Sequence, residues 1–278
     1  MKYGFVLPIG DARIAADLAR DAEQAGWDGF FVWEPVWGID AWVALTAAAL
    51  QTSHIRLGTM LTPLPWRQPW KLASETATLD NLSGGRVILA VGLGAPEAGA
   101  GKFGVPTDRR LRAELLDEGL DVLYGLWHGQ PFEYHGKHYN LQPTDFAVPP
   151  PPVQQPRIPV WVVGVWPRMK SMRRVLRCDG LLPARMGPDG KLAEVLQPDD
   201  IREMKAWLDQ NRDTDAPFDI VWEGETPGDS PSEAAAIVRP WAEAGATWWN
   251  ETRWNILSDV NAPEIARERI LQGPPRLD

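Results

Sequence analysis

The sequence predicts an α/β fold, a closed (β/α)8 TIM barrel with an insertion between strands four and five. Three observations carry that prediction. Eight short apolar runs recur along the 278 residues, and a helical pattern follows each one. The runs lack the polar alternation of a half-exposed strand, as expected where both faces of a parallel sheet are covered. Residues 55–94 read strand, proline-punctuated loop, helix, turn, strand, a parallel crossover that constrains the whole topology. An open doubly wound sheet competes, but the alternation runs through all eight units without an irregular edge strand.

The strands fall at residues 3–7, 29–33, 56–61, 87–91, 159–163, 180–182, 218–222 and 246–249. Helix 11–25 is amphipathic and stops at Gly26, and helix 41–51 is rich in Ala and Leu. Helix 70–82 places Leu72, Ala73, Thr76 and Leu79 on one face, and helix 110–127 carries a stripe that includes Leu116, Leu120 and Leu123. Proline at a first-turn position opens a helix at 167–177 and, through Pro198, another at 201–208. Ser230 then Pro231 open 234–244, and a weaker helix covers 263–271. The long interval between strands four and five also holds a hairpin at 131–141, turning at Gly136, and a stiff run from Pro149 to Pro152. Its apolar content is too small for a separate core, so residues 95–157 read as an insertion within one domain spanning 1–278.

Composition narrows the class. A hydrophobic content of 44% supports a full core. No run reaches the ~18 apolar residues of a membrane span. The first strand meets Gly10 and Asp11 too early for a signal peptide. A single cysteine, Cys178, leaves no internal disulfide and fits a reducing compartment, so a cytoplasmic location is expected. A formal charge of −9 disfavours nucleic acid as a partner.

In such a barrel the active site lies at the C-terminal strand ends. Ten of the fifteen tryptophans fall in strands or loops that the pattern puts near that end: Trp33, Trp37, Trp66, Trp70, Trp161, Trp166, Trp222, Trp248, Trp249 and Trp254. As a group they suggest a wide pocket with flat apolar walls; singly, each reads better as packing. Gly92-Leu93-Gly94 after strand four lacks the third glycine of a dinucleotide fingerprint. Glycine there would still let a planar ligand approach the main chain. In Gly164-Val165-Trp166-Pro167-Arg168 a strand ends, a helix opens and an arginine sits in its first turn. Free N–H groups beside Arg168 could hold a phosphate; the plainer reading is a βα turn with an exposed arginine.

Three segments carry a family resemblance. The first is 18–34, LARDAEQAGWDGFFVWE. The second runs through Leu57-Gly58-Thr59, Arg67, Pro69, Thr78-Leu79-Asp80 and Leu82-Ser83-Gly84-Gly85-Arg86 to Gly92-Leu93-Gly94. The third is 115–139, ending Gly-Lys-His-Tyr, followed by the proline run and 159–164. Together they resemble the bacterial luciferase-like family of flavin- and deazaflavin-dependent oxidoreductases. The resemblance implies a barrel that binds reduced FMN or coenzyme F420 at its C-terminal face. Met60, Leu61 and Thr62 would lie behind the ring, at a bulge with a non-proline cis peptide. Gly92 and Gly94 would pass its edge, and Gly164, Val165, Trp166 and Arg168 would hold its phosphate end.

One departure bears on mechanism. Where many members carry an acid then a histidine, this chain has Glu34-Pro35, and proline has neither a titrating side chain nor an N–H. Glu34 is therefore the acid–base candidate, with Trp37 as a stacking wall and Glu251 and Glu223 as rivals; a salt bridge or cap is the plainer role for each glutamate. His135 and His138 fall on opposite faces of the hairpin, without a nearby acidic or cysteine ligand, so no metal site is expected. His54 and His128 sit at helix C-termini. No strand carries a central lysine for Schiff-base chemistry.

The expected function is thus a luciferase-like monooxygenase that uses reduced FMN and oxygen on a small, apolar organic substrate. A coenzyme F420-dependent dehydrogenase or reductase is the alternative. A non-catalytic flavin-binding protein is a third reading, favoured by the missing histidine. The expected partners are a separate flavin or F420 reductase and a second copy in a homodimer, with no membrane.

Overall fold

The computed structural model describes every residue except 97, 98, 188, 189, 194 and 278. Eight strands form its centre: β1 (Lys2–Leu7), β2 (Gly29–Val32), β3 (Arg56–Thr59), β4 (Val87–Gly92), β5 (Val160–Trp166), β6 (Gly180–Arg185), β7 (Asp219–Gly224) and β8 (Trp248–Glu251). Their order is β3-β2-β1-β8-β7-β6-β5-β4, and all these neighbours are parallel. Leu57↔Val87 and Gly58↔Ile88 pair β3 with β4 and close the ring. The chain is a closed eight-stranded barrel.

Helices α1 (Ala12–Ala25), α2 (Ala41–Gln51), α3 (Pro69–Ser83), α4 (Arg109–His128), α5 (Met169–Val175), α6 (Pro198–Asn211), α7 (Pro231–Ala244) and α8 (Ala262–Leu271) surround it. Local chemistry sets their ends. Asp11 caps α1 by accepting from the Arg13 and Ile14 N–H groups, and Gly26 at φ 87° turns the chain out. Pro69 opens α3 and Pro198 opens α6, where a missing N–H costs nothing. Helix α5 is shorter than the sequence pattern suggests. Strand β5 pairs with β6 as far as Trp166↔Arg185, so Val165 and Trp166, read as turn, belong to the sheet.

Strand parity sorts the core into two shells. Val6, Phe31, Met60, Ile88, Ala90, Trp161, Leu182, Val221 and Trp248 point inward and fill the barrel. Their neighbours in sequence, such as Phe5, Phe30, Leu89, Val162 and Trp249, point out against the helices. The tryptophans therefore do not form one wall at the strand ends. Trp161 and Trp248 are barrel filling, with ring centroids 5.2 Å apart. Trp222 stacks on Trp241 of α7 at 3.9 Å, and Trp166 packs on Trp207 of α6. Period-two alternation sends these rings outward from the strands that carry them.

Between β4 and β5, α4 packs against α3 as part of the helical ring. Beyond it, Tyr134–His135 and Asn140–Leu141 pair antiparallel around a turn in which Gly136 N–H donates to Tyr139 O. His135 faces Asn140 and His138 faces Glu114. The proline run then lies over α3, where Asn81 Nδ2 donates to Pro151 O. No described helix is long and apolar enough to cross a membrane.

Candidate active site

The end of the third strand is irregular. From Gly58↔Ile88 to Thr62↔Val91 the third strand advances four residues and β4 three, which is a one-residue bulge. The Met60–Leu61 peptide within it is cis. Met60 N–H donates to Val32 O, and Glu34 N–H reaches Leu61 O at 3.4 Å, so the bulge is sewn to the end of the second strand. Met60 is buried in the barrel, whereas Leu61 stays partly open.

The glycines of the fourth strand accommodate protein before any ligand. A Cβ on Gly92 would stand 2.9 Å from Leu61 Cδ2 and 3.1 Å from Val163 Cγ2. Glycine there lets the ends of β3, β4 and β5 meet in one apolar floor. Gly94 has φ 77°, and a Cβ on it would stand 2.5 Å from the Trp66 ring. Arg112 of α4 donates to the Leu93 and Gly94 carbonyls and fixes this loop from outside.

Glu34 turns to the helix side. Thr62 Oγ1 donates to its Oε2 at 2.6 Å, and Arg67 Nη1 to its Oε1 at 2.5 Å. Arg67 also pairs with Glu75 of α3. Only 8% of the Glu34 side chain is exposed. That burial raises its carboxyl above the ordinary range, with Arg67 and the Thr62 hydroxyl pulling the other way. The carboxylate is spent on the wall of the bulge. The side chain of Thr62 faces Glu34 too, and only its main chain borders the strand ends.

The other acidic candidates separate by parity. Glu251 points away from the barrel and is fully buried. It accepts from Thr226 N–H and Oγ1, Trp249 Nε1 and Arg269 Nε, the last two at 3.1 and 3.2 Å. Arg253 Nη2 stands 3.3 Å away. That set makes it an anchor between β8 and α8. Glu223 shares the inward side of β7 with Val221, and among the described residues only Trp254 Nε1, at 3.4 Å, donates to it. Burial pushes its carboxyl up to about 7. Trp254 meets Trp33 edge to face, their centroids 6.2 Å apart. Trp37 is 83% exposed and lies against Phe103, outside this cluster.

The far end of β5 divides the same way. Gly164 faces the helices, since a Cβ on it would strike Leu181, Val175 and Met172. Val165 faces inward, and Trp166 donates outward to Glu203 of α6. Arg168 is exposed and caps the backbone start of α5. Arg109, at the start of α4, is close enough for the Arg168 charge to add to burial in lowering its pKa. Neither guanidinium has a carboxylate partner among the described residues. Sequence reasoning found Arg168 but not Arg109, because only the closed barrel brings the two together. It also passed over Asn250, which follows Trp248 and Trp249 in β8.

A separate groove of about 240 Å³ lies outside the barrel, between α3, the end of α4 and the proline run. Trp70, Trp127 and Phe146 line it. It does not reach the strand ends.

Comparison with known proteins is consistent with this architecture. Residues 3–262 match the sequence profile of the luciferase-like monooxygenases. A protein of Mycobacterium tuberculosis provisionally named a coenzyme F420-dependent oxidoreductase is 32% identical over 182 residues, 62% of this chain and 51% of that one. The oxygenase component of a flavin-dependent trigonelline monooxygenase from Acinetobacter baylyi is 33% identical over 116 residues, 42% of this chain and 31% of that one. This chain thus spans about half of the first relative and about a third of the second. In fold, it superposes on the coenzyme F420-dependent tetrahydromethanopterin reductase of Methanopyrus kandleri with a TM-score of 0.73, at 19% identity and 98% coverage of both chains. The chain belongs to the luciferase-like monooxygenase family.

Proposed function

We propose that this chain is an oxidoreductase that holds a flavin or deazaflavin cofactor at the C-terminal strand ends and acts on a small organic substrate with an apolar body. The observation that carries this reading is the Arg109–Arg168 pair. Two like charges with no carboxylate partner among the described residues suit an anion, and a phosphate-bearing cofactor brings one. Leu61 and Val163, which meet at Gly92, make the apolar floor that a flat ring needs. The main chain of Met60, Thr62, Gly92 and Gly94 would border the ring, and Arg168 with Arg109 would hold its phosphate. Gly164 and Trp166 would contribute only through the strand they belong to.

When bound, reduced FMN supplies oxygen activation and coenzyme F420 supplies hydride transfer. The chain's own residues orient the ring, exclude water and place the substrate. The FMN monooxygenase is the first reading, supported by the family and by the oxygenase component among its relatives. That relative also supports a separate reductase as partner. The F420 enzyme is the second, favoured by the 32% identical relative. Glu34 takes a positioning role in both, through Thr62 and the bulge. Glu251 is assigned to the fold and Trp37 to the outer rim. Val43 and Leu50 of α2 and Leu82 of α3 stand exposed, which supports the homodimer.

Fluorescence titration with FMN, riboflavin and F420 tests the proposal. Binding of FMN or F420 is expected, with riboflavin bound more weakly because it lacks the phosphate. Arg168→Gln should weaken FMN or F420 roughly tenfold, the worth of one charge-assisted hydrogen bond, and leave riboflavin unchanged. Binding of neither cofactor would sink the reading. Binding without oxygen uptake or hydride exchange on any substrate would point to a flavin carrier.

A further inference from the structure

Glu223 and Asn250 are register partners on β7 and β8, and both lie on the inward side of their strands. Partnered residues on adjacent strands stand about 5 Å apart at Cα. Asn250 is fully buried, and neither its Oδ1 nor its Nδ2 has a partner among the described residues. Buried amides are nearly always bonded, so an unpartnered one, its Oδ1 packed against Gly4 of β1, marks a place where a polar group belongs. Glu223 is partly open to solvent and has one hydrogen-bond partner among the described residues, the Trp254 indole. An indole N–H can only donate, so Oε2 is the accepting oxygen of that carboxyl. Oε1 is left as the position for a proton.

We propose that Glu223, with the Asn250 amide beside it, forms the subsite for the polar end of the substrate, donating from Oε1 to a carbonyl oxygen while Trp33 and Trp254 cover its apolar body. The inference deepens the reading of the strand ends as a redox site and rests on it. It moves the substrate-side proton from the second strand, where Glu34 is spent, to the seventh. A protonated carboxyl donates and a carboxylate does not, so the subsite works with Glu223 neutral. Among the described residues, the charged groups nearby do not face it. Asp219, inward at the other end of β7, bonds Trp161 and Thr247; Arg185 of β6 turns out to Asp200 and Glu203; Glu225 and Glu251 engage Arg253. Its register partner Asn250 and its contact Trp254 carry no charge.

The test is calorimetric binding of acetophenone and of ethylbenzene, which has a similar shape but no carbonyl, to the full chain. Wild type should prefer the ketone by up to about tenfold at about pH 5.5 and lose the preference at about pH 8.5, as one neutral hydrogen bond would dictate. Glu223→Gln should keep it at both, since an amide donates without titrating. Glu223→Leu should show none at either. A preference that is the same at both pH values in wild type overturns the proposal, as does one that survives in Glu223→Leu or the absence of any preference at the lower pH. FMN and F420 titrations on the same three proteins judge the cofactor reading separately. Loss of cofactor binding in wild type condemns that reading, while intact cofactor binding without ketone preference condemns only the subsite.

Discussion

The hydroxyl of Thr62, just past the bulge of the third strand, donates to the carboxylate of Glu34, at the end of the second strand, over 2.6 Å. Arg67 grips the other carboxylate oxygen and ties the pair to Glu75 of α3. Three consecutive elements are thereby locked at the point where the chain reverses its pleat. Thr62 and Glu34 form a brace for Leu61, whose side chain is the part of the bulge left open to the strand ends.

Glu34→Gln should therefore act on structure before chemistry. The amide still accepts from Thr62, but the Arg67 ion pair is lost in a nearly closed site. Arg67 keeps Glu75, so the expected cost is about 1–3 kcal/mol, below that of stranding a buried charge entirely. Urea unfolding measures it. Unchanged stability together with lost turnover would reinstate Glu34 as an acid or base in its own right.

Arg86 should be less forgiving. Its buried guanidinium donates to the carbonyls of Ala49, Thr52, Ile55 and Ser83 and to Thr52 Oγ1, joining α2, α3 and the starts of β3 and β4. Arg86→Lys offers three donors from one point and leaves carbonyls unpaired. A loss of about 3–5 kcal/mol is expected, which unfolding midpoints would show, with no change in cofactor affinity per folded molecule.

That contrast explains how much was legible. The eight strands follow from apolar runs because covered strands have no other signature, and helix ends follow from Gly26, Pro198 and Pro231. The Leu82–Arg86 motif that carries the family resemblance proves structural: Arg86 pins the strand starts, far from the site. Asp80 of the same block holds the Gln154 amide and backbone. The site was less legible because its sorting depends on parity at strand ends. Glu251 faces Arg269, which lies in α8, and nothing local in the sequence announces that partner. Arg109 and Arg168 become neighbours only when the barrel closes.

Gly94→Ala should cost more than Gly92→Ala. At φ 77° an alanine costs about 1–2 kcal/mol in backbone alone, and the new methyl would also strike the rigid Trp66 ring. At Gly92 the obstacle is the end of the flexible Leu61 chain, which can swing aside. Gly92→Ala should thus spare stability and instead weaken FMN or F420 binding by disturbing the apolar floor. Unfolding midpoints and cofactor titrations on the two variants separate these outcomes; equal effects on both measurements would refute the distinction.

Glu223 also predicts a pH dependence of stability. Its folded-state pKa is raised from 4.5 to about 7 by burial, so the folded chain holds this proton more tightly than the unfolded one. The resulting stabilisation is full below the unfolded value and is lost as pH climbs from about 4.5 to about 7. Each unit is worth about 1.4 kcal/mol, which caps the swing near 3 kcal/mol, and partial solvent access trims it to roughly 1–3 kcal/mol. Glu223→Gln never ionises and escapes the loss. Urea unfolding at about pH 4 and about pH 8 should find the variant close to wild type at the lower value and more stable at the higher, because every other carboxyl titrates alike in both proteins. A stability difference that does not change between the two would mean that Glu223 ionises at an ordinary carboxyl value.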